Sequence, residues 1–299
     1  MNRARVFAYR LERMQIRNRL LPRSIQDGVA TAFMAAIIPI TFWFEVFVVI
    51  PGVHGADSLF NWIHLGPALF LLFNISVNML ATIMCDTSCR TEIINVPTNV
   101  AVSSGLGSGS WHLCSTCEAV APPRSWHCNT CGTCVLKRDH HCVFTGCCIG
   151  HRNHRYFIMF VLHLFIATLY ASVLNNYFIW FVRGEEFRNW TSLVKIVFPL
   201  AMLVIDTSTK QYYLVIYLIN MVGMLFTGVL LIYHGRLILN GRVVHERNSQ
   251  EYDLGWKANL KMVLGKRWKL VWLSPFLKSE LPHNGVNWDL VSKEATKSK

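Results

Sequence analysis

The sequence predicts an α-helical polytopic membrane protein, with four transmembrane helices and a cysteine-rich domain between the second and third. Three observations carry this. Hydrophobic residues fill 53% of the 299 positions and charged residues only 15%, where a soluble domain carries about 25% charged residues. Four apolar stretches are each long enough for a bilayer core of about 30 Å. Eight of the ten cysteines crowd between Cys114 and Cys148, mostly at two-residue gaps.

Taken in order, residues 1–28 hold seven arginines and no apolar run, so they read as a cytosolic basic tail and not as a cleavable signal peptide. Residues 29–84 hold the first two spans, Val29–Ile50 and Leu65–Met84. Residues 85–155 form the cysteine-rich segment. Residues 156–233 hold the spans Tyr156–Val182 and Tyr212–Tyr233 with a luminal loop, and 234–299 form a second tail.

Lysine and arginine counts set the topology. The two tails carry seven and twelve, the cysteine-rich segment six, the 50–64 loop none and the 183–211 loop four. Both termini and the cysteine-rich segment are therefore expected on the cytosolic side. A fifth span would reverse the twelve-charge tail, so Val194–Ile205, which runs into Asp206-Thr207-Ser208-Thr209-Lys210, reads as a luminal or re-entrant helix. The net charge of +12 is thus juxtamembrane anchoring, and no nucleic acid is expected as a partner. Asn189-Trp190-Thr191 is a glycosylation sequon on the luminal side.

Polar residues also fall within the spans. Asn74 and Asn78 share one helical face and are expected to bond across to another helix. Glu45 is expected to snorkel, and His163 either packs or lines a substrate cavity.

The cysteine-rich segment follows a Gly/Ser-rich lead-in, 103–110. Pro122-Pro123 and its glycines preclude a long helix, and paired C-x2-C elements supply the staple that so small a segment needs. In a reducing compartment this spacing reads as metal ligation. Eight cysteines and six histidines (112, 127, 140, 141, 151, 154) exceed the eight ligands of two tetrahedral zinc sites, so spacing leaves the ligand set open. A DNA-reading finger fits poorly: nine residues separate Cys117 from His127, against about twelve in that finger.

Around Asp139-His140-His141-Cys142, an extended backbone alternates side chains between two faces. His140 and Cys142 then share one face and His141 takes the other. One histidine can serve the thiol as base while its neighbour ligates metal, and Asp139 can orient His140. Ligation of metal by His140 and Cys142 as well remains open on this reasoning.

The pattern C-x2-C-x9-H-C-x2-C-x2-C-x4-D-H-H-C-x5-C-x4-N-x3-F, from Cys114 to Phe157, has every position filled. It resembles the DHHC cysteine-rich-domain protein acyltransferases. Tyr252-Asp253-Leu254-Gly255, with Asn259 and Gly265, is similar to the family's C-terminal element. The closing RWKLVWLSPFL is most similar to its member-twenty-four-like group. The chain departs from the family's usual motifs at Val143-Phe144, at Cys147, at Asp86-Thr87-Ser88 and at Val243-Val244-His245-Glu246.

The resemblance implies a palmitoyltransferase with a cytosolic zinc-binding domain. Cys114, Cys117, His127 and Cys134 would hold one structural Zn2+; Cys128, Cys131, His141 and Cys148 would hold the other. Cys142 would be the nucleophile, His140 its base and Asp139 the residue that orients the base. Asn259 would brace the membrane domain. Long-chain acyl-CoA would donate the acyl group, and proteins with cytosolic juxtamembrane cysteines would accept it.

At about 0.8 kcal/mol per methylene, a palmitoyl chain carries around 11 kcal/mol of apolar burial. The chain must stay in the bilayer and CoA in water, which requires an interfacial nucleophile. Lys137, Arg138, Arg152 and Arg155 are expected either to meet the CoA phosphates or to anchor the interface. Cys85 and Cys89 are juxtamembrane acylation candidates or ordinary thiols, and Cys147 is a spare acyl acceptor or an alternative ligand. Family resemblance points to endoplasmic reticulum or Golgi membranes. Two alternatives are a catalytically weak or silent membrane scaffold, suggested by the departures, and a transporter built on the intramembrane polar groups.

Overall fold

The computed structural model describes residues 21–89 and 110–288. Most of the basic tail, residues 103–109 of the Gly/Ser-rich lead-in and residues 289–299 lie outside them. Among the described residues, four helices are long and apolar enough to cross a membrane. The first three are α1 (Ile25–His54), α2 (Leu59–Met84) and α3 (His154–Val182). A single helical turn, Gly184–Phe187, and two short helices follow, α4 (Trp190–Val197) and α5 (Pro199–Ile205), then the fourth span, α6 (Thr209–Leu239), and α7 (Trp256–Leu264).

Local chemistry accounts for the ends. The Ser24 hydroxyl accepts the Asp27 N–H at 3.1 Å, satisfying one of the donors orphaned at the start of α1. That helix passes through a π turn, Glu45–Val49, resumes over Ile50–His54 and stops at Gly55 with φ +89°. The run Val194–Ile205 does not form one helix. Pro199 disfavours helical backbone at Phe198, which adopts φ −123°, so the run divides between α4 and α5. Asn189 caps α4 by accepting the Ser192 N–H at 2.9 Å.

The chain divides into two compact units. One comprises Ala35–Ser76 and Phe160–Ile232; the other holds the rest. In the first, Phe44, Val49, Phe178, Ile179 and Leu214 form the buried centre. Polar groups bond between its helices. Asn220 donates to Ser172 Oγ at 2.9 Å, and Tyr217 to Asn176 Oδ1 at 3.0 Å. Glu45 does not snorkel; it accepts a hydrogen bond from Asn175 of α3, because a carboxyl group on a helix–helix seam gains more from a fixed donor than from reaching for water. Asn74 donates to Phe70 of its own helix at 3.1 Å, and His163 is buried edge-on to the Phe70 ring at 5.9 Å. A largely apolar cleft opens among α1, α2, α3 and α6, lined by Ile38, Leu72, Ile75, Leu164 and Ala171, with Thr41, Glu45, Thr168, Tyr170 and Asn220 as polar exceptions.

The other unit contains six three-residue strands: β1 (His112–Cys114), β2 (Ala119–Ala121), β3 (Trp126–Cys128), β4 (Thr133–Val135), β5 (His140–Cys142) and β6 (Cys147–Ile149). They pair as three antiparallel hairpins, β1–β2, β3–β4 and β5–β6. Their buried clusters are built on the cysteines themselves. Gly150 is obligatory where the chain leaves β6: an added Cβ would sit 2.6 Å from the Leu136 carbonyl oxygen and 2.8 Å from Thr87 Oγ1.

Candidate active site

Hairpin alternation sorts the metal ligands. On β3, His127 turns to one cluster and Cys128 to the next. Cys114, Cys117, His127 and Cys134 gather as one set, and Cys128, Cys131, His141 and Cys148 as the other. Zn–S bonds of about 2.3 Å and Zn–N bonds of about 2.0 Å in a tetrahedron require edges of about 3.8 Å between sulfurs and about 3.6 Å between sulfur and nitrogen. Here Cys117 and Cys134 sulfurs lie 3.8 Å apart, and His127 Nδ1 lies 3.7 and 3.2 Å from the Cys114 and Cys117 sulfurs. His141 Nδ1 lies 3.7, 3.4 and 3.8 Å from those of Cys128, Cys131 and Cys148. Both clusters therefore fit zinc fingers.

Sequence reasoning missed Asp27. Its carboxylate is 1% exposed, and Oδ1 sits 3.2 Å from His141 Nε2. A carboxylate on the far nitrogen of a ligating histidine fixes its tautomer and ring direction. Nothing local in a span's first turn points to a histidine 114 residues away.

The opposite face of β5 carries the second constellation. Asp139 is 1% exposed; its Oδ2 accepts from His140 Nδ1 at 2.7 Å, and its Oδ1 accepts the Val244 N–H at 3.0 Å. Burial works against a charged Asp139, yet the hydrogen bond with His140 and the neighbouring His234 ring hold it well below the usual carboxylate range. Burial likewise opposes a protonated His140, but Asp139 and Cys142 outweigh it and push the ring up to about 9. Cys142 is 7% exposed; burial would raise its thiol, and the hydrogen bond with His140 brings it below its ordinary value.

His234 was also missed. Its Nδ1 lies 3.2 Å from the Asp139 oxygen that serves His140, off the line of a straight hydrogen bond. Its ring centroid is 5.0 Å from His140 and 5.2 Å from Phe157. It closes a span, where a histidine reads as interfacial anchoring.

Two of the departures from the family motifs act here through the backbone. Val244 uses its N–H on Asp139, and Phe144 uses its N–H on the Cys142 sulfur. Neither contact needs a particular side chain. Glu246, kept from the motif, makes a bidentate pair with buried Arg124, whose Nε lies 2.9 Å from Oε2. Asn153 donates to the Thr82 and Cys148 carbonyls at 3.1 and 2.9 Å. Asn259 donates to the Leu239 carbonyl at 2.8 Å, satisfying an orphan acceptor at the end of α6.

The expected phosphate-binding cations fare differently. Lys137 is 3% exposed and its ammonium lies 5.6 Å from the Trp288 ring centroid. Burial, then Arg124, lowers it to about 7. Burial therefore keeps its ammonium away from a phosphate in water, which corrects that expectation. Arg138 turns to His245, Arg152 reaches the Asp86 carbonyl at 3.4 Å, and Arg155 packs over Tyr156. Cys89 packs beside the first cluster, and burial pushes its thiol up to about 12.

Comparison with known proteins agrees with this geometry. A family model described as DHHC palmitoyltransferase matches residues 108–251. The chain is 34% identical over 263 residues, 87% of its own length, to a rat (Rattus norvegicus) protein called "Probable palmitoyltransferase ZDHHC24", and covers 89% of that protein. It is 33% identical over 240 residues to the zebrafish (Danio rerio) protein of the same name, covering 79% of this chain and 78% of the relative. Against the human (Homo sapiens) protein of that name the identity is 34% over 265 residues, covering 87% and 89%.

Proposed function

Because the chain belongs to the DHHC palmitoyltransferase family and is a protein S-acyltransferase, we propose that Cys142 carries the acyl group, with His140 as its base and Asp139 orienting that base. The observation that carries this is the division of one strand: His140 meets the Asp139 carboxylate and the Cys142 thiol, while His141 faces three thiols.

The reaction has two thioester exchanges. The Cys142 thiolate attacks the carbonyl of a long-chain acyl-CoA, its C–S bond to CoA breaks, and His140 returns a proton to the departing thiolate. A substrate cysteine then attacks acyl-Cys142 while His140 takes the thiol proton, and Cys142 leaves as thiolate. Each step replaces one thioester by another, so no ATP is required. Lowered Cys142 and raised His140 suit this exchange at neutral pH.

Zinc in the two clusters would act as a cross-link that holds the hairpins; the chemistry runs on Asp139, His140 and Cys142. The apolar lining of the cleft among the spans suits an acyl chain. Arg138, Arg152 and Arg155 are the cations left to meet the CoA phosphates. The distribution of lysine and arginine supports cytosolic termini and a cytosolic reaction, in endoplasmic reticulum or Golgi membranes, on proteins with juxtamembrane cysteines. The silent-scaffold reading is weakened, since Phe144 and Val244 contribute backbone contacts that need no particular side chain.

The test is incubation of purified protein with labelled acyl-CoA. Wild type is expected to acquire a hydroxylamine-labile label that Cys142→Ser lacks. Full labelling and transfer by Cys142→Ala would overturn the assignment.

A further inference from the structure

Cys147 belongs to neither ligand cluster and has no part in the reaction above. Yet it stands directly across the hairpin from Cys142 as its Cα partner in β5–β6. Cross-strand partners share a face of the sheet. The adjoining pair, His141 and Cys148, faces the second metal cluster, which sets Cys142 and Cys147 together on the other side.

A second observation is independent of the register. The Thr145 hydroxyl, in the loop joining the strands, accepts from Cys147 Sγ at 3.5 Å and donates to the Cys142 carbonyl at 3.4 Å. One hydroxyl therefore ties the Cys147 thiol to the Cys142 end of the turn. Both are free thiols.

We propose that Cys147 is the resolving thiol of Cys142: a peroxide oxidises Cys142, and the two sulfurs then close a reversible disulfide across β5–β6. In the first step the Cys142 sulfur takes one peroxide oxygen, the O–O bond breaks, and the second oxygen leaves as water, giving a sulfenic acid. Next the Cys147 sulfur attacks that sulfur, the S–S bond forms, and the S–O bond breaks with loss of a second water. Two thiols are oxidised by two electrons, and one peroxide is reduced to two waters.

Directly opposed Cβ atoms stand about 4.5–5.5 Å apart and a disulfide needs about 3.5–4.5 Å, so the hairpin must draw in by about 1 Å. Gly146, at φ +60° in the connecting loop, gives that turn room to adjust. An exposed sulfenic acid with no second thiol proceeds to irreversible sulfinic acid, whereas a neighbouring thiol captures it reversibly. The link itself does not depend on the acyl-carrier role of Cys142; only its consequence, loss of acyl loading, rests on that reading.

The experiment treats full-length protein in lipid nanodiscs with hydrogen peroxide, with zinc content monitored. It reads the 139–152 peptide by mass under non-reducing conditions and acyl loading before and after dithiothreitol. Wild type is expected to show a Cys142–Cys147 link and to lose loading by about tenfold, with recovery on reduction. Cys147→Ser and Cys147→Asn are expected to load normally before treatment, then to lose loading without recovery and to carry Cys142 as sulfinic acid. Wild-type peptide with no such link would overturn the proposal, as would variants that recover as wild type does. Failure of Cys142 to label with acyl-CoA, with the link intact, would overturn only the acyl-carrier reading.

Discussion

Replacing Asp139 with asparagine isolates the carboxylate's effect with little change of shape. His140 is held at about 9 against an ordinary 6.5, a difference on the order of 3 kcal/mol. Burial acts against the shift, and Cys142 shares with Asp139 in producing it. The part due to the 2.7 Å bond with Asp139 is taken as about 1.5–3 kcal/mol, the range for a hydrogen bond to a charged group. Lost from the transition state, that slows acyl loading about 10- to 100-fold.

The sign of the pH effect follows from the same groups. Loading should rise as Cys142 ionises and fall through about pH 9, where His140 loses the proton it gives to CoA. In Asp139→Asn burial has no carboxylate against it, so the falling limb moves to lower pH. The assay is single-turnover acyl loading of detergent-purified protein from pH 6 to pH 10, with metal content as the control for folding. A variant that loads at the wild-type rate at neutral pH, with an unmoved falling limb, would refute the reasoning.

Three further outcomes follow from the same structure. Asp27→Asn removes the carboxylate that fixes His141 and should weaken metal retention about 10- to 100-fold, seen as faster zinc loss to a chelator. Unchanged loss would detach Asp27 from the second cluster. Arg124→Ala strands Glu246, whose side chain is 1% exposed, and should cost about 3–5 kcal/mol; a thermal unfolding midpoint equal to wild type would contradict this. Gly150→Ala forces a Cβ to within 2.6 Å of the Leu136 carbonyl oxygen and should destabilise by about 1–3 kcal/mol. The readout is monodisperse yield on size exclusion, and wild-type yield would show that the strand shifts freely.

Much of this protein is set by short-range rules. Apolar stretches of about 20 residues require helices in a bilayer, so four spans were legible from composition and length. Two-residue cysteine gaps and the period-two alternation around Asp139–Cys142 were legible for the same reason: each depends on a few adjacent residues. Tertiary structure decided what joins residues far apart in the chain. It brought Asp27 to His141, His234 to Asp139 and the Val244 N–H to the same carboxylate. It also buried Lys137, which charge alone had placed at the surface. Such contacts turn on where a chain returns after crossing a membrane and on backbone groups that every residue carries. Residue type therefore holds no signal for them.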